Sequence, residues 1–195
     1  DQPLLIRYGF WLKELLRGNL GNSFATRQPV MNVLMERVGP TLILMGTSLV
    51  VAYLIAIPLG IYSAVKQNTW VDYFITGSSI MGVSIPNFFF GLFLIYIFAV
   101  QLKWLPTGGM QVLGSAGGFW EKVQHLILPV TVIASTISAN MIRYVRSTMI
   151  DIFGENYLRT AKAKGLKPSQ IIFKHGIRNA LIPIITIIAS DIPKL

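Results

Sequence analysis

The sequence predicts an all-α protein, a polytopic membrane helical bundle, on three observations. Of its 195 residues 53% are hydrophobic and only 13% are charged, and the mean hydropathy is positive, a balance foreign to soluble domains. Two uncharged runs, 38–65 and 73–102, exceed the roughly 20 helical residues that cross about 30 Å of hydrocarbon. Basic residues crowd positions 143–178, where eight of the 17 lysines and arginines meet only Asp151 and Glu155.

The elements follow in order. Leu5, Tyr8, Trp11, Leu12, Leu15 and Leu16 recur at helical spacing, with Arg7, Lys13, Glu14 and Arg17 elsewhere on the wheel. That pattern predicts an interfacial helix stopped at Gly18. A turn-rich loop over 18–29 and a lead-in over 30–37 complete an external segment, 1–37, ahead of a transmembrane domain, 38–195. The first span is 38–65 and the second 73–102. Glycines and Pro106 make 103–121 an outer loop with little helix. The third span covers 124–142, its ends extended by the snorkelling flanks Lys122 and Arg143. A cytoplasmic loop occupies about 147–179, and a fourth span begins near Ala180 and reaches Leu195 with Asp191 and Pro193 inside it. That last segment stops partway through a helix, while the chain opens on Asp1 with no charged leader or signal core. A fragment truncated at both ends is the expectation.

Charge sets the orientation. With Lys66 the inner side holds nine basic residues against seven outside, and the short, crowded 143–178 stretch decides for a cytoplasmic loop. The net charge of +9 is accounted for by this topology and by attraction to anionic lipid; nucleic acid is not an expected partner. The absence of cysteine excludes disulfides, thiolate metal sites and cysteine nucleophiles.

Within the loop, Tyr157, Leu158, Ala161 and Gly165 fall on one arc of a helix, and Arg159, Lys162, Lys164 and Lys167 occupy the remainder. Glu155 precedes Arg159 by four residues, the favourable order for an ion pair. Gly165 suits a left-handed cap and Pro168 the first turn of a second helix ending near Asn179. A helix, sharp turn and helix result. Amphipathicity alone fits both a helix lying on lipid and one seated in a protein groove.

The run Glu155, Asn156, Tyr157, Leu158, Arg159, Thr160, Ala161, Lys162, Ala163, Lys164, Gly165, Leu166, followed by Arg178, Asn179, Ala180, Leu181, Ile182, Pro183, resembles the cytoplasmic EAA loop of ABC importer permeases. More narrowly it is similar to the oligopeptide, dipeptide and nickel branch, where Arg-Thr-Ala stands in for Glu-Ala-Ala. Gly39, Pro40, Thr41 with Pro58, Leu59, Gly60, then Ser84, Ile85, Pro86, Asn87, Phe88, point to the B-type permease of that branch. Gly18, Leu20, Gly21, Ser23, Pro29 and Val30 also fit it, as do Leu105, Pro106, Thr107 and Gly108. One departure from the broad pattern, Arg178 after Ile177 with the proline delayed to Pro183, is shared by the peptide branch.

The resemblance implies a bacterial inner-membrane permease of the ABC importer permease type, carrying peptides (oligopeptide or dipeptide, with nickel chelates and glutathione as alternatives). It implies a second permease subunit, two cytoplasmic ATPase subunits and an extracytoplasmic solute-binding protein as partners. Glu155, Tyr157, Leu158, Arg159, Thr160, Ala161, Lys164, Gly165 and Leu166 would form the coupling helix that sits in an ATPase cleft. ATP and magnesium would be bound by those ATPase subunits, and no cofactor by this chain.

The residues agree with that division of labour: no Gly-rich phosphate loop ending in Lys-Ser or Lys-Thr is present, so the chain is not an enzyme that hydrolyses ATP alone. It also lacks HExxH, GxSxG and paired carboxylates. His125 and His175 are isolated and read as interfacial or loop histidines rather than ligands. Ser84, Pro86 and Asn87 are candidates for the passage, because a proline frees a carbonyl and an asparagine is costly to leave in lipid. Thr131, Ser135 and Ser138 form a polar stripe on the third span, which could line the passage or simply let helices pack closely. Uncharged spans disfavour proton-coupled transport, leaving a membrane scaffold or channel-like protein without an ATPase as the alternative.

Overall fold

A computed structural model describes residues 3–110 and 118–194. All regular elements among them are helical, and the chain divides into two compact units, 1–43 and 44–195. The centre of the outer loop expected over 103–121, residues 111–117, lies outside the described residues.

In the first unit, α1 (Leu4–Leu16) buries none of its side chains. Leu5 and Leu16 stand 85% and 80% exposed, so within the first unit the apolar face of this helix is left open. Gly18 adopts φ +81° beyond the helix end, the left-handed geometry that a Cβ disfavours. The loop that follows is held by backbone bonds from Ser23 N to Gln28 O and from Val30 N to Gly21 O, both 2.9 Å.

Helix α2 (Val30–Val65) starts eight residues before the uncharged run at 38. Glu36 and Arg37 end a hydrophobic run, but nothing in 30–37 breaks a helix. From Leu44 onward it belongs to the second unit, and there its buried positions are Ser48, Ala52, Ala56, Gly60, Ser63 and Ala64. Small residues four apart make one flat seam, the device by which membrane helices approach closely when apolar surface gains nothing from leaving lipid. The seam meets α5 (Phe119–Phe153). A Cβ at Gly60 would lie 2.7 Å from Val145 Cβ and 2.9 Å from the carbonyl oxygen of Ile142. Ala56, Ala64, Met141, Ile142, Val145 and Met149 form the core with Ala180 and Ile184 of α8 (Arg178–Asp191).

The run 73–102, expected as one span, is not one helix. It folds as α3 (Trp70–Ser84) and α4 (Asn87–Leu94), bent by 98°. Pro86 has no N–H to give to the preceding turn and forces Ile85 into an extended conformation, φ −83° and ψ 124°. α4 continues as a π-helical turn, Ile95–Gln101. Such a pair is a broken span or a re-entrant hairpin; α2, α5 and the segment Pro168–Asp191 are long and apolar enough to cross a bilayer.

The third span, expected over 124–142, belongs to a longer helix of 35 residues, because Arg143 and Arg146 interrupt hydrophobicity without interrupting α5. Nor does the chain break near Asn179. The short α7 (Pro168–Gln170) passes into a π-helical segment, Ile171–Ile177, and then directly into α8. Helical hydrogen bonding is local and ignores the change from polar to apolar sequence that marks the bilayer surface.

Gly60→Ala is expected to destabilise the protein by about 1–3 kcal/mol, since the added methyl meets Val145 Cβ, which no rotamer change can move, and the Ile142 carbonyl oxygen; a thermal unfolding curve of the detergent-solubilised full-length protein measures it.

Candidate functional site: the basic loop and its anchor

The loop begins where α5 stops at Phe153 and Gly154. Glu155 is the N-cap of α6 (Asn156–Ala163), with extended φ −69° and ψ 143°. The expected Glu155–Arg159 ion pair is not formed among the described residues. A residue at the cap has left helical geometry, so the four-residue spacing no longer brings the two side chains together. Its carbonyl instead accepts bonds from Leu158 N and Arg159 N at 3.1 and 3.3 Å.

The far end of α6 closes with a Schellman motif. Leu166 N donates to Ala161 O at 3.3 Å, Gly165 N donates to Lys162 O at 3.0 Å, and Gly165 takes φ +78°. Lys167 then caps α7, its N–H bonded to Gln170 Oε1 at 3.2 Å, with Pro168 in the first turn.

The small apolar arc of α6 does not stay open to a partner as a whole. Leu158 and Ala161 are 3% and 8% exposed; they seat α6 on its own chain. Leu158 and Leu166 border a cavity of about 480 Å³ with Val65, Phe153 and Ile171. Tyr157, Arg159, Thr160, Lys164 and Gly165 are exposed. The Tyr157 hydroxyl accepts a 2.8 Å bond from Asn179 Nδ2, tying α6 to the start of α8. At Gly176 the π-helical segment passes beneath Phe153, whose Cε1 would lie 2.9 Å from a Cβ there.

The strongest electrostatic feature leaves almost no trace in the sequence. Asp72, 1% exposed, receives Arg146 Nε and Nη2 on its two carboxylate oxygens at 2.6 and 2.7 Å. Ser63 Oγ donates to Oδ1 at 2.5 Å and Asn68 N to Oδ2 at 3.0 Å. A bidentate guanidinium with two further donors satisfies a carboxylate fully. The cluster joins the end of α2, the turn after it, the start of α3 and the part of α5 that leads to the loop. Asp72 sits one residue before the uncharged run beginning at Tyr73, so it reads as a flank; its one sequence signal is an acid at the very edge of a span.

The candidates for the passage divide. Thr131, Ser135 and Ser138 line one recess of about 430 Å³ with Ser78, Ser79 and Ala139. Their hydroxyls bond back to their own helix, to the carbonyls of Ile127, Val132 and Ala134, the arrangement that lets helices pack around satisfied polar groups. Ser84, Pro86 and Asn87 do not border that recess. Ser84 bonds Ile80 O at 2.9 Å, and Asn87 Oδ1 accepts a 2.6 Å bond from Thr136 of α5, which pins the break between α3 and α4. His125 holds the segment before α5 through an Nδ1–H bond to Gly108 O at 3.0 Å. No group of acids and histidines among the described residues could hold a metal ion.

A helical protein with several membrane-crossing segments and a capped, basic helix between two of them defines a polytopic inner-membrane component. The chain belongs to the family described as binding-protein-dependent transport system inner membrane component, whose model matches residues 56–195. It is 42% identical over 194 residues to the oligopeptide transport system permease protein AppB of Bacillus subtilis, covering 99% of this chain and 61% of that one. To the glutathione transport system permease protein GsiC of Shigella flexneri it is 37% identical over 186 residues, covering 95% of this chain and 58% of that one. The chain thus spans about three fifths of the length of the curated relatives it matches. These relatives place it in the peptide branch of ABC importer permeases.

Asp72→Ala is expected to lower stability by about 3–5 kcal/mol, because it leaves the Arg146 charge packed without its partner. Asp72→Leu with Arg146→Met should recover most of that loss, and chemical denaturation of the three proteins compares them.

Ala161→Glu, which forces a charge into a packed site, should lower the melting temperature, whereas Arg159→Glu on the exposed face should leave it within about 0.5 kcal/mol of the parent stability.

Proposed function

We propose that this chain belongs to a permease subunit of an ATP-driven importer and forms part of the passage for peptides. A cytoplasmic ATPase would drive it through α6. The observation that carries the reading is the construction of that helix: it is closed at its C-terminal end by the Gly165 turn, seated by Leu158 and Ala161, and presents Tyr157, Arg159, Thr160 and Lys164 outward. A short helix held this way can act as a rigid peg, and its exposed cations orient it in an acidic cleft. The docking surface is accordingly narrower than the whole motif. Glu155 and Gly165 shape the ends, and Leu158, Ala161 and Leu166 fasten the helix to its own subunit.

Movement of the peg would bias two conformations of the spans, with ATP favouring one of them. A second permease, a pair of ATPase subunits and an external solute-binding protein complete the assembly; ATP and magnesium stay with the ATPases. Two relatives named for oligopeptide and glutathione transport favour a short peptide as cargo.

Affinity purification of the full-length protein from its native membrane, with mass spectrometry of what accompanies it, should recover ATPase subunits and a second permease. Arg159→Glu combined with Lys164→Glu should reduce ATPase recovery at least tenfold, about 1.4 kcal/mol or more, with the thermal unfolding curve unchanged. Recovery of this chain alone under conditions that preserve such complexes would favour a scaffold or channel-like protein.

A further inference from the structure

A cavity of about 440 Å³ lies between α4, its π-helical continuation, the first half of α5 and the turn 106–109. Ile95, Leu128, Val132 and Ile133 give it apolar walls. Gly91 lets α4 approach α5 there, with Val132 Cγ2 3.7 Å from where a Cβ would stand. The polar border is His125, 8% exposed, with Thr107. A carbonyl oxygen can only accept, so the bond to Gly108 O puts the proton of the neutral His125 ring on Nδ1 and leaves Nε2 a bare acceptor. No protein group among the described residues donates to Nε2. Nor is any buried side-chain nitrogen or oxygen among them left without a partner, so Nε2 reaches open space, and the cavity that His125 borders supplies it.

Pro129 borders the same cavity from inside α5. It has no N–H to return to the His125 carbonyl four residues back, which adds a second acceptor at this turn of the helix. Acceptors set among apolar walls define their complement, a ligand that brings its own N–H and an apolar body. An anion would meet lone pairs and no cation, since neither lysine nor arginine borders the cavity among the described residues. The volume falls in the range of small-molecule sites, which are typically apolar with a few placed polar groups. One wall, Ile95, opens the π-helical turn Ile95–Gln101, a distortion that recurs at functional sites. His125 precedes Arg143 by 18 residues, about 27 Å of helix, so the cavity lies at the end of α5 away from the basic loop.

We propose that this cavity is a subsite for one apolar residue of a peptide, its side chain against Leu128, Val132 and Ile133 and its backbone N–H donated to His125 Nε2. The assignment rests on the peptide-permease reading and puts the subsite at the end of the passage where cargo is delivered rather than released. Recognition through a backbone N–H and a generic apolar body tolerates many side chains. A proline or an N-methylated residue, which lacks the N–H, is disfavoured.

The test uses the full-length permease with its partner subunits in membrane vesicles. N-acetyl-photoleucine methylamide, a diazirine analogue of one peptide residue, is photolysed and its insertion sites are mapped by mass spectrometry. Adducts on Leu128, Val132 or Ile133 should be competed by N-acetyl-leucine methylamide about tenfold better than by its doubly N-methylated counterpart, a difference of about 1.4 kcal/mol. His125→Phe, which keeps the apolar walls, should erase that preference. Equal competition by the two ligands on the unaltered protein would overturn recognition of the N–H and leave a greasy cavity. Adducts on the exposed Leu92 and Phe93 alone would mark partition into lipid and overturn the site outright, as would no adducts at all. Adducts lost whenever an external solute-binding protein is docked without cargo would make the cavity a seat for that protein's side chain and overturn the cargo assignment. ATP-driven uptake of trileucine by the same vesicles is read separately. If uptake is absent while the N–H preference persists, the peptide-import reading fails and the subsite stands.

Discussion

The closeness of α2 and α5 is the constraint on which residues 44–195 depend. In lipid, burying a leucine gains little, because the tails are as apolar as the side chain; packing and hydrogen bonds have to hold helices together. The seam Ser48, Ala52, Ala56, Gly60, Ala64 supplies the first of these. With Val145 lodged against Gly60, α5 becomes the member against which α3, α4 and α8 also pack. Removing the seam would not open a cavity so much as push the central helix away from its neighbours.

The Asp72–Arg146 pair supplies the second. It stands at the end of the bundle where α2 turns into α3, and it takes donors from three chain segments. Buried ion pairs are weak sources of stability but strong constraints on arrangement. Here the arrangement constrained is the position of α5 just before it delivers α6. Seam and ion pair therefore act on the same helix at adjacent residues, Val145 and Arg146, one through shape and the other through charge.

Much of this architecture was legible. Hydropathy marked the apolar segments that fold as helices, Gly165 and Pro168 marked the turn between α6 and α7, and the loop motif pointed to the family. Other features were hidden for physical reasons. Composition cannot tell a straight span from one broken at Pro86, because both halves are apolar. A helix that crosses from membrane to water, as α5 and α8 do, changes polarity without changing conformation. The face of α6 was read as a partner's landing surface, although Leu158 and Ala161 are covered by their own chain; amphipathicity reports that a face is buried without saying against what. Asp72 and Arg146 lie 74 residues apart, and a pairing at that distance leaves no local trace.

The Tyr157–Asn179 bond turns the segment between α5 and α8 from a strip into a closed frame. An open strip pushed at its middle bends and dissipates the push in its turn; a frame transmits it to its corners. Those corners are the ends of α5 and α8, so a displacement of α6 would be shared by both helices rather than absorbed by one.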